Sequence, residues 1–381
     1  MHYFLIQLYF FTIFLCISTY ALYPMLIWIL GKFFPGINNE GTMIPSISII
    51  ISAYNEDKHI EEKIKNTLEL DYPKNKIEVL IGSDGSTDAT AVKISKYTDQ
   101  GIKFYDFQEN RGKTAVQNDL VRYSSGEILV FTDAASFLPA NAVKKMVSHY
   151  ADKMIGCVAG KMKFVKTDSN MTTESQGLYW RYEVKIREME SCLGSLIGVD
   201  GPLYSVRRDN YVVLEPHIIS DLMIPLLVRE QGKKVIIEPE AIVEEEPTIK
   251  TCQEFNTRRR VTLRALTGLA NYKSLFNPIK NPWLACQLFF HKLLRWFVGP
   301  LVAINVLTCL ALSDDFIFRN ILIIYCIFFV AACLGWIFEK VNIKAKIFTI
   351  PYYFCLVNLA ATMGILDYFK KKQAVTWKPV R

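Results

Sequence analysis

Glu56, Asp84, Asp88 and Asp133 stand just past apolar runs of strand length. They lie in Ala53-Tyr54-Asn55-Glu56, in Ser83-Asp84-Gly85-Ser86-Thr87-Asp88 and in Thr132-Asp133-Ala134-Ala135-Ser136. A fourth stretch, Asn110-Arg111-Gly112-Lys113-Thr114, adds two cations and a glycine. Carboxylates beside Arg and Lys suit a metal-bound diphosphate, because Mg²⁺ takes oxygen ligands from one or two carboxylates and from substrate phosphates. Taken singly, each stretch is also ordinary turn chemistry, since Asp, Asn, Gly and Ser favour turns for conformational reasons. Their recurrence at successive strand ends favours ligand binding.

The elements that position these residues are legible from periodicity. Ser46 to Ser52 is a nearly continuous β-branched run, as in a strand buried on both faces of a parallel sheet. Further runs of strand length fall at Ile77 to Ile81, Ile102 to Phe107 and Ile128 to Thr132, with helix-length stretches between them. In the first such stretch, Ile60, Ile64 and Leu68 recur every four residues, and Asn55 is placed to cap the helix. Alternation of this kind predicts parallel βαβ connections in an α/β domain spanning residues 44–281. In such sheets ligands bind beyond the carboxyl ends of the strands, where the acidic stretches fall.

Composition supplies the setting. The chain has 381 residues, 44 basic against 37 acidic for a net charge of +7, and 51% hydrophobic residues. That excludes disorder and a disulfide scaffold. The nine cysteines lack metal-site spacing and are read as reduced thiols, with Cys16, Cys309, Cys326, Cys333 and Cys355 as small hydrophobes in apolar segments. The apolar excess sits at the two ends. Tyr3 to Leu30 carries no charge, predicting an N-terminal transmembrane helix in residues 1–31; a charged n-region and a cleavage site are lacking, which disfavours a signal peptide. Trp296 to Leu312, Ile321 to Phe338 and Ile347 to Leu366 predict two to three membrane helices in residues 296–369, followed by a basic tail at 370–381. Residues 282–295 read as an amphipathic helix on the membrane surface, because His291, Lys292 and Arg295 interrupt apolar residues. The five histidines show no metal-ligand spacing and read as structural or surface residues. Nucleic acid is excluded as a partner, since the aromatics lie in apolar runs and are not interleaved with cations. No G-x-S-x-G or G-x-G-x-x-G is present, which argues against hydrolase and dinucleotide-dehydrogenase chemistry.

In their order along the chain these motifs resemble those of the family 2 glycosyltransferases, in their membrane-embedded form. Tyr54-Asn55-Glu56 is similar to the opening Y-N-E, Asp84 to Asp88 to the D-G-S-T-D loop, and Arg111-Gly112-Lys113 with Asn118 to the R-G-K…N segment. Phe131 to Ala134 resembles the strand bearing the D-x-D metal motif. Asp200-Gly201-Pro202 resembles the segment lining the acceptor site, and Ser220-Asp221 the acidic pair that holds the general base. Glu238 to Ala241 and the arginines ending at Arg260 complete the order.

The resemblance implies a GT-A, Rossmann-like nucleotide-diphospho-sugar transferase domain flanked by transmembrane helices. It implies a nucleotide-sugar donor, a lipid-linked or glycan acceptor, a divalent metal (Mg²⁺ or Mn²⁺), and inversion by one direct displacement. By position, Tyr54, Glu56 and Asp84 would face the base and ribose, Arg111 and Lys113 the nucleotide side of the cleft, and Asp133 the metal. Asp200 and Gly201 would meet the acceptor, Asp221 would be the general base, and Arg258, Arg259 and Arg260 would serve the diphosphate or the acceptor end. Glu183 and Asp200 are the next carboxylates for the base. The arginines also read as a juxtamembrane patch meeting anionic lipid. Two departures matter: Ala135 replaces the second acid of D-x-D, and the arginines lack the flanking Gln and Trp of chain-extending synthases. Transfer of a single sugar is therefore expected, a processive polysaccharide synthase of the same fold being the alternative and a nucleotide- or sugar-binding membrane receptor or transporter accessory subunit the non-enzymatic one. The catalytic domain is expected to face the cytosol in an inner membrane. Three later crossings would then leave Lys370 to Lys372 and Arg381 outside, against the tendency of basic flanks, unless one segment is re-entrant.

Overall fold

The computed structural model describes residues 1–34, 41, 43–164, 171–245, 250–341, 343 and 345–375. Arg381 and the rest of the tail beyond residue 375 lie outside the described residues. At the centre is a seven-stranded sheet of order β3-β2-β1-β4-β6-β5-β7. Its strands are β1 Ile47–Ala53, β2 Ile77–Asp84, β3 Ile102–Phe107, β4 Ile128–Asp133, β5 Ile155–Phe164, β6 Leu203–Arg207 and β7 Lys234–Glu245. The first four are parallel, as the alternating pattern predicts, and β1 is buried along its whole length. β6 runs antiparallel between β4 and β5. Because it is antiparallel, its first residue, Leu203, sits opposite Thr132 at the carboxyl end of β4. Residues 200–201, which immediately precede β6, therefore arrive beside Asp133.

The helices are α1 His2–Ile17, α2 Tyr23–Phe33, α3 Ile60–Leu68, α4 Thr90–Ser95, α5 Lys113–Tyr123, α6 Ala142–Ser148, α7 Met171–Cys192, α8 Ser220–Glu230, α9 Thr251–Asn271, α10 Pro282–Gln287, α11 Leu294–Ala311, α12 Phe316–Lys340 and α13 Lys346–Phe369. Two apolar cores sandwich the sheet. Ile49, Ile51, Val79, Ile81 and Val130 pack against α3 and α6 through Ile60, Ile64 and Met146, while Leu80, Leu129 and Phe131 pack with α5 and α8 through Val116, Leu120 and Leu226. Asn55 does not cap α3, which starts at Ile60. It takes a positive φ of 53° and its side chain accepts the Thr87 N–H at 2.8 Å, joining the first two strand-end loops; Asn tolerates this left-handed geometry better than most residues.

Among the described residues, four helical stretches are long and apolar enough to cross a membrane: His2–Phe33, Pro282–Ala311, Phe316–Lys340 and Lys346–Phe369. Along Phe316–Lys340, Ile323, Ile324, Ile327 and Val330 are exposed, an apolar face that water would not favour. Cys326 and Cys333 share that exposure and are not interior residues of the protein. The segment read from sequence as a surface helix, 282–295, instead runs on through α10 and a wide π-turn at Leu288–Leu293 into α11. His291 and Arg295 are buried against α7. His291 bonds Glu190 at 2.7 Å, Lys292 reaches Glu183 at 3.2 Å, and Arg295 pairs with Glu183. The carboxylates come from 100 residues upstream in sequence or more, which local amphipathicity does not register. A second wide turn, Ser18–Leu22, meets the first: Thr19 donates to the Phe290 carbonyl at 2.6 Å. Of the helices long enough to cross, α13 is the most engaged with the α/β domain. It lies along α9, with Tyr353 donating to Glu254 at 2.7 Å and Arg259 pairing with Asp367.

Candidate active site

The carboxyl ends of β1, β2 and β4 open on one side of the sheet, and the loops after them interlock there. Asp84, at the end of β2, is buried, and its two oxygens accept the backbone N–H groups of Arg111 and Gly112, each at 2.8 Å. Burial raises this carboxyl, and those N–H groups offset the effect only in part. Asp84 thus anchors the Arg111-Gly112-Lys113 turn. Gly112 itself takes φ +89°, in the region that favours glycine, and the Val375 carbonyl lies against the face where a Cβ would stand. Asp88 binds the N–H groups of Thr90 at 2.9 Å and Asp57 at 3.2 Å, so it organises the start of α4.

Lys113, the first residue of α5, is delivered by this turn to the middle of the site. Its ammonium pairs with Asp133. Three clasps fix α5 to the segment leading into α8: Thr114 donates to the Ile218 carbonyl at 2.8 Å, Ser220 to Gln117 at 2.8 Å, and Asn118 to the Leu214 carbonyl at 2.6 Å. Asp221, in the first turn of α8, is thereby held near Lys113. Its backbone carbonyl accepts the Val199 N–H at 3.0 Å, which tethers the 199–201 loop. The convergence is visible at Gly201. A Cβ built there would stand 3.2 Å from Asp221 Oδ2, 3.3 Å from Lys113 Nζ and 3.7 Å from Asp133 Oδ2. Glycine leaves open the space on which one cation and two carboxylates face.

These charges bias one another. Burial would lower the Lys113 ammonium, but Asp133 and Asp221 overcome it and raise the group above its ordinary value. Burial raises the Asp221 carboxyl, and Lys113 and Arg264 do not fully compensate. A carboxylate more basic than usual is suited to accept a proton. Asp221 does not cap α8, which begins one residue earlier with no side-chain cap.

The other expected site residues are spread out. Tyr54 is half-buried at the end of β1, and Glu56 is buried where α3 is entered. Arg111 pairs with Asp119 at 2.8 Å and lies over the Phe107 ring. Asp200 pairs with Arg187, which also donates to the Gly198 carbonyl at 3.0 Å, so its carboxylate braces the loop bearing Gly201. The arginine triplet on α9 divides: Arg258 turns to Glu254 at 2.8 Å, Arg259 to Asp367, and Arg260 alone is electrostatically coupled to Asp221. Glu183 belongs to the cluster with His291, Lys292 and Arg295, not to the Lys113–Asp221 centre.

Sequence reading missed Arg264 and Lys63. Arg264, one helical turn beyond Arg260, binds the carbonyls of Pro216, His217 and Ile218 and the Thr114 hydroxyl, and so holds the approach to Asp221. Its place four residues after Arg260 on a helical face was the available signal. Lys63 interrupts the apolar face of α3, which was the signal in its case.

No group of three or more His, Cys, Asp or Glu able to hold a metal occurs among the described residues. Asp133 is the one carboxylate that the D-x-D position supplies, and Lys113 already neutralises it. This donor set suits a cation that arrives with a diphosphate and draws most of its oxygens from it; it does not suit a resident ion.

Comparison with known proteins agrees with this geometry. Residues 48–212 match the model of glycosyl transferase family 2. The poly-beta-1,6-N-acetyl-D-glucosamine synthase of Staphylococcus aureus (strain COL) is 23% identical over 244 residues, covering 58% of each chain. The Staphylococcus epidermidis enzyme of that name is 25% identical over 168 residues, 43% of this chain and 40% of its own. The match thus spans 58% of the length of the first of these curated relatives and 40% of the second. The solved mannosyltransferase PcManGT from Pyrobaculum calidifontis, in complex with GDP-Man and Mn²⁺, superimposes with a TM-score of 0.71 at 20% identity over 96% of this chain and 99% of its own. Motif order, sheet topology and family match coincide: residues 48–212 are a glycosyl transferase family 2 domain with a GT-A core, in a chain that also carries helices of membrane-spanning length.

Proposed function

We propose that this protein is a membrane-bound inverting glycosyltransferase that moves one sugar from a nucleotide-diphosphate donor to a lipid-linked or glycan acceptor. The observation that carries the reading is the meeting of Lys113, Asp133 and Asp221 around Gly201. Asp221 takes the proton of the acceptor hydroxyl, whose oxygen bonds to the anomeric carbon as the carbon–oxygen bond to the diphosphate breaks. The departing diphosphate carries away that electron pair, and the Lys113 ammonium lies where this charge develops. A divalent cation held by Asp133 and the diphosphate would supply further charge stabilisation. Asp84 fixes the Arg111–Lys113 turn, and Gly201 leaves room for the reacting groups.

A uridine-linked donor is favoured, because the curated relatives are N-acetylglucosamine polymer synthases by name. Those names also favour the processive alternative, and product length from a radiolabelled donor separates the two. The catalytic face is assigned to the cytosol, where nucleotide sugars are made, with the Ser313–Asp315 joint outside. Labelling of an introduced Asp314→Cys from outside intact cells checks this, and labelling at Lys113→Cys instead would invert the topology.

The deciding experiment is a nucleotide-sugar screen on purified membranes, reading nucleotide release with and without lipid acceptors. Release that needs one donor, rises with acceptor and stops on chelation supports the proposal. Binding of free sugar without nucleotide turnover would favour the receptor, and full turnover in excess chelator would remove the metal.

A further inference from the structure

Lys63 is a fully buried lysine that no step of the proposed reaction uses. It lies three residues after Ile60 and four before Thr67 on the inward face of α3, where an apolar residue is expected. Its ammonium donates to the Thr132 hydroxyl at 2.8 Å and to the Ser136 carbonyl. Those two residues bracket Asp133, and the Ser136 N–H closes the turn on the Asp133 carbonyl at 3.2 Å. One turn later on α3, Asn66 grips the same loop, accepting the Leu138 N–H at 2.8 Å and donating to the Leu138 carbonyl at 2.9 Å. From β7, Glu245 accepts the Ser136 hydroxyl at 2.8 Å.

A buried ammonium costs several kcal/mol of desolvation, and a methionine of similar length would fill the position without that cost. The charge is therefore poorly explained by stability. Asp133 on β4 and Glu245 on β7 are the acids that act on it; burial pushes Lys63 down to about 7 against their pull. What the lysine does fix is the path of the backbone on both sides of Asp133. Precision matters at this turn, because Ala135 stands where a second acid would share the load and the aim of one carboxylate decides the site.

We propose that Lys63 is a positioning residue for donor binding: from beneath the sheet end, its ammonium clamps the Thr132–Ser136 turn and so aims Asp133 at the cation that accompanies the diphosphate. This rests on the reading that Asp133 meets that cation. Removing outer-shell partners of metal-binding groups typically weakens metal affinity by about 10- to 100-fold.

The test uses the full-length chain in detergent, titrated by calorimetry with UDP and with GDP in the presence of Mn²⁺. Melting temperature and amide exchange at Ala135 and Ser136 are followed in parallel. Lys63→Met is expected to raise the Kd of the Mn²⁺-dependent binding by about tenfold or more and to speed exchange at the turn. Thr132→Val, which removes one acceptor and is milder for folding, is expected to raise Kd by about threefold, with the double variant no worse than Lys63→Met alone. Ile64→Ala destabilises the same helix by opening a cavity and is expected to leave Kd within about twofold. Wild-type Kd in both Lys63→Met and Thr132→Val, or an equal loss in Ile64→Ala, overturns the positioning role. A wild-type chain that binds neither nucleotide with Mn²⁺ overturns the underlying reading and this inference with it, so the two failures are told apart.

Discussion

Substituting Gly201 by alanine probes the convergence at the centre of the site. The φ of Gly201 is not in the left-handed region, so an alanine meets no backbone strain, and the perturbation is the added methyl alone. That methyl carbon would stand 3.2 Å from Asp221 Oδ2 and 3.3 Å from Lys113 Nζ. Both are tighter than comfortable contact, yet both atoms end side chains that can yield by a few tenths of an ångström. Overpacking of this kind costs about 1 kcal/mol of stability. A 1 Å misplacement of reacting groups costs about 100-fold in rate, so a shift of about 0.3 Å in each of two groups gives a loss on the order of tenfold. The assay is nucleotide release under saturating donor, with donor Kd and melting temperature measured on the same preparation. A lowered turnover with a Kd changed less than about threefold is the expected result. Gly177→Ala is the control: among the described residues, beyond its chain neighbours and its own helix backbone, nothing lies within 4 Å of its Cβ position on α7, and alanine is favoured in a helix by up to about 1 kcal/mol, so turnover should hold. Wild-type turnover in Gly201→Ala would refute the claim that Lys113 and Asp221 act across this space.

Asp221→Asn should leave donor binding nearly intact and lower turnover by about 100-fold or more. Because burial raises this carboxyl and a base must be deprotonated, wild-type turnover should climb as pH rises through its titration, a limb that the variant should lack. Gly112→Ala forces a side chain to φ +89° and against Val375; it should cost about 1–2 kcal/mol of stability and weaken nucleotide binding, read by melting and calorimetry. For Glu183, burial alone would raise the carboxyl, but Lys292, His291 and Arg295 hold it well below the usual range. Its folded value lies below its unfolded one, so the stability it contributes is present above about pH 4.3 and is lost as pH falls toward the folded value. Glu183→Gln should lower stability by about 3–5 kcal/mol at neutral pH, and melting curves of the two proteins should draw together in acid.

The parallel half of the sheet was written in the sequence, because a doubly buried strand reads as a nearly continuous apolar run rich in branched residues, and Ile47 to Ala53 and Ile128 to Thr132 come close to that. Those runs also placed Asp84 and Asp133 at strand ends, and each proves to be the last residue of its strand. The apolar helices were equally local, because length and lack of charge are properties of one segment. What lay beyond local reading is what depends on pairing across the chain. β6 inserts antiparallel between β4 and β5, and only that register sets Gly201 beside Asp133. Arg258, Arg259 and Arg260 are indistinguishable as a triplet; helical rotation and the neighbours α13 and α8 decide that Arg260 is the one coupled to Asp221. His291, Lys292 and Arg295 read as the charges of a helix lying on the membrane surface until Glu183 and Glu190, 100 residues upstream or more, supplied their counter-charges. Lys63 interrupts the apolar face of α3, and only the fold shows it sealed beneath the turn of Asp133. A sequence states which charges exist and which segments are apolar. The partner that neutralises each charge is chosen by tertiary contact, because the energy of a buried charge depends on what lies within a few ångströms, whatever its distance along the chain.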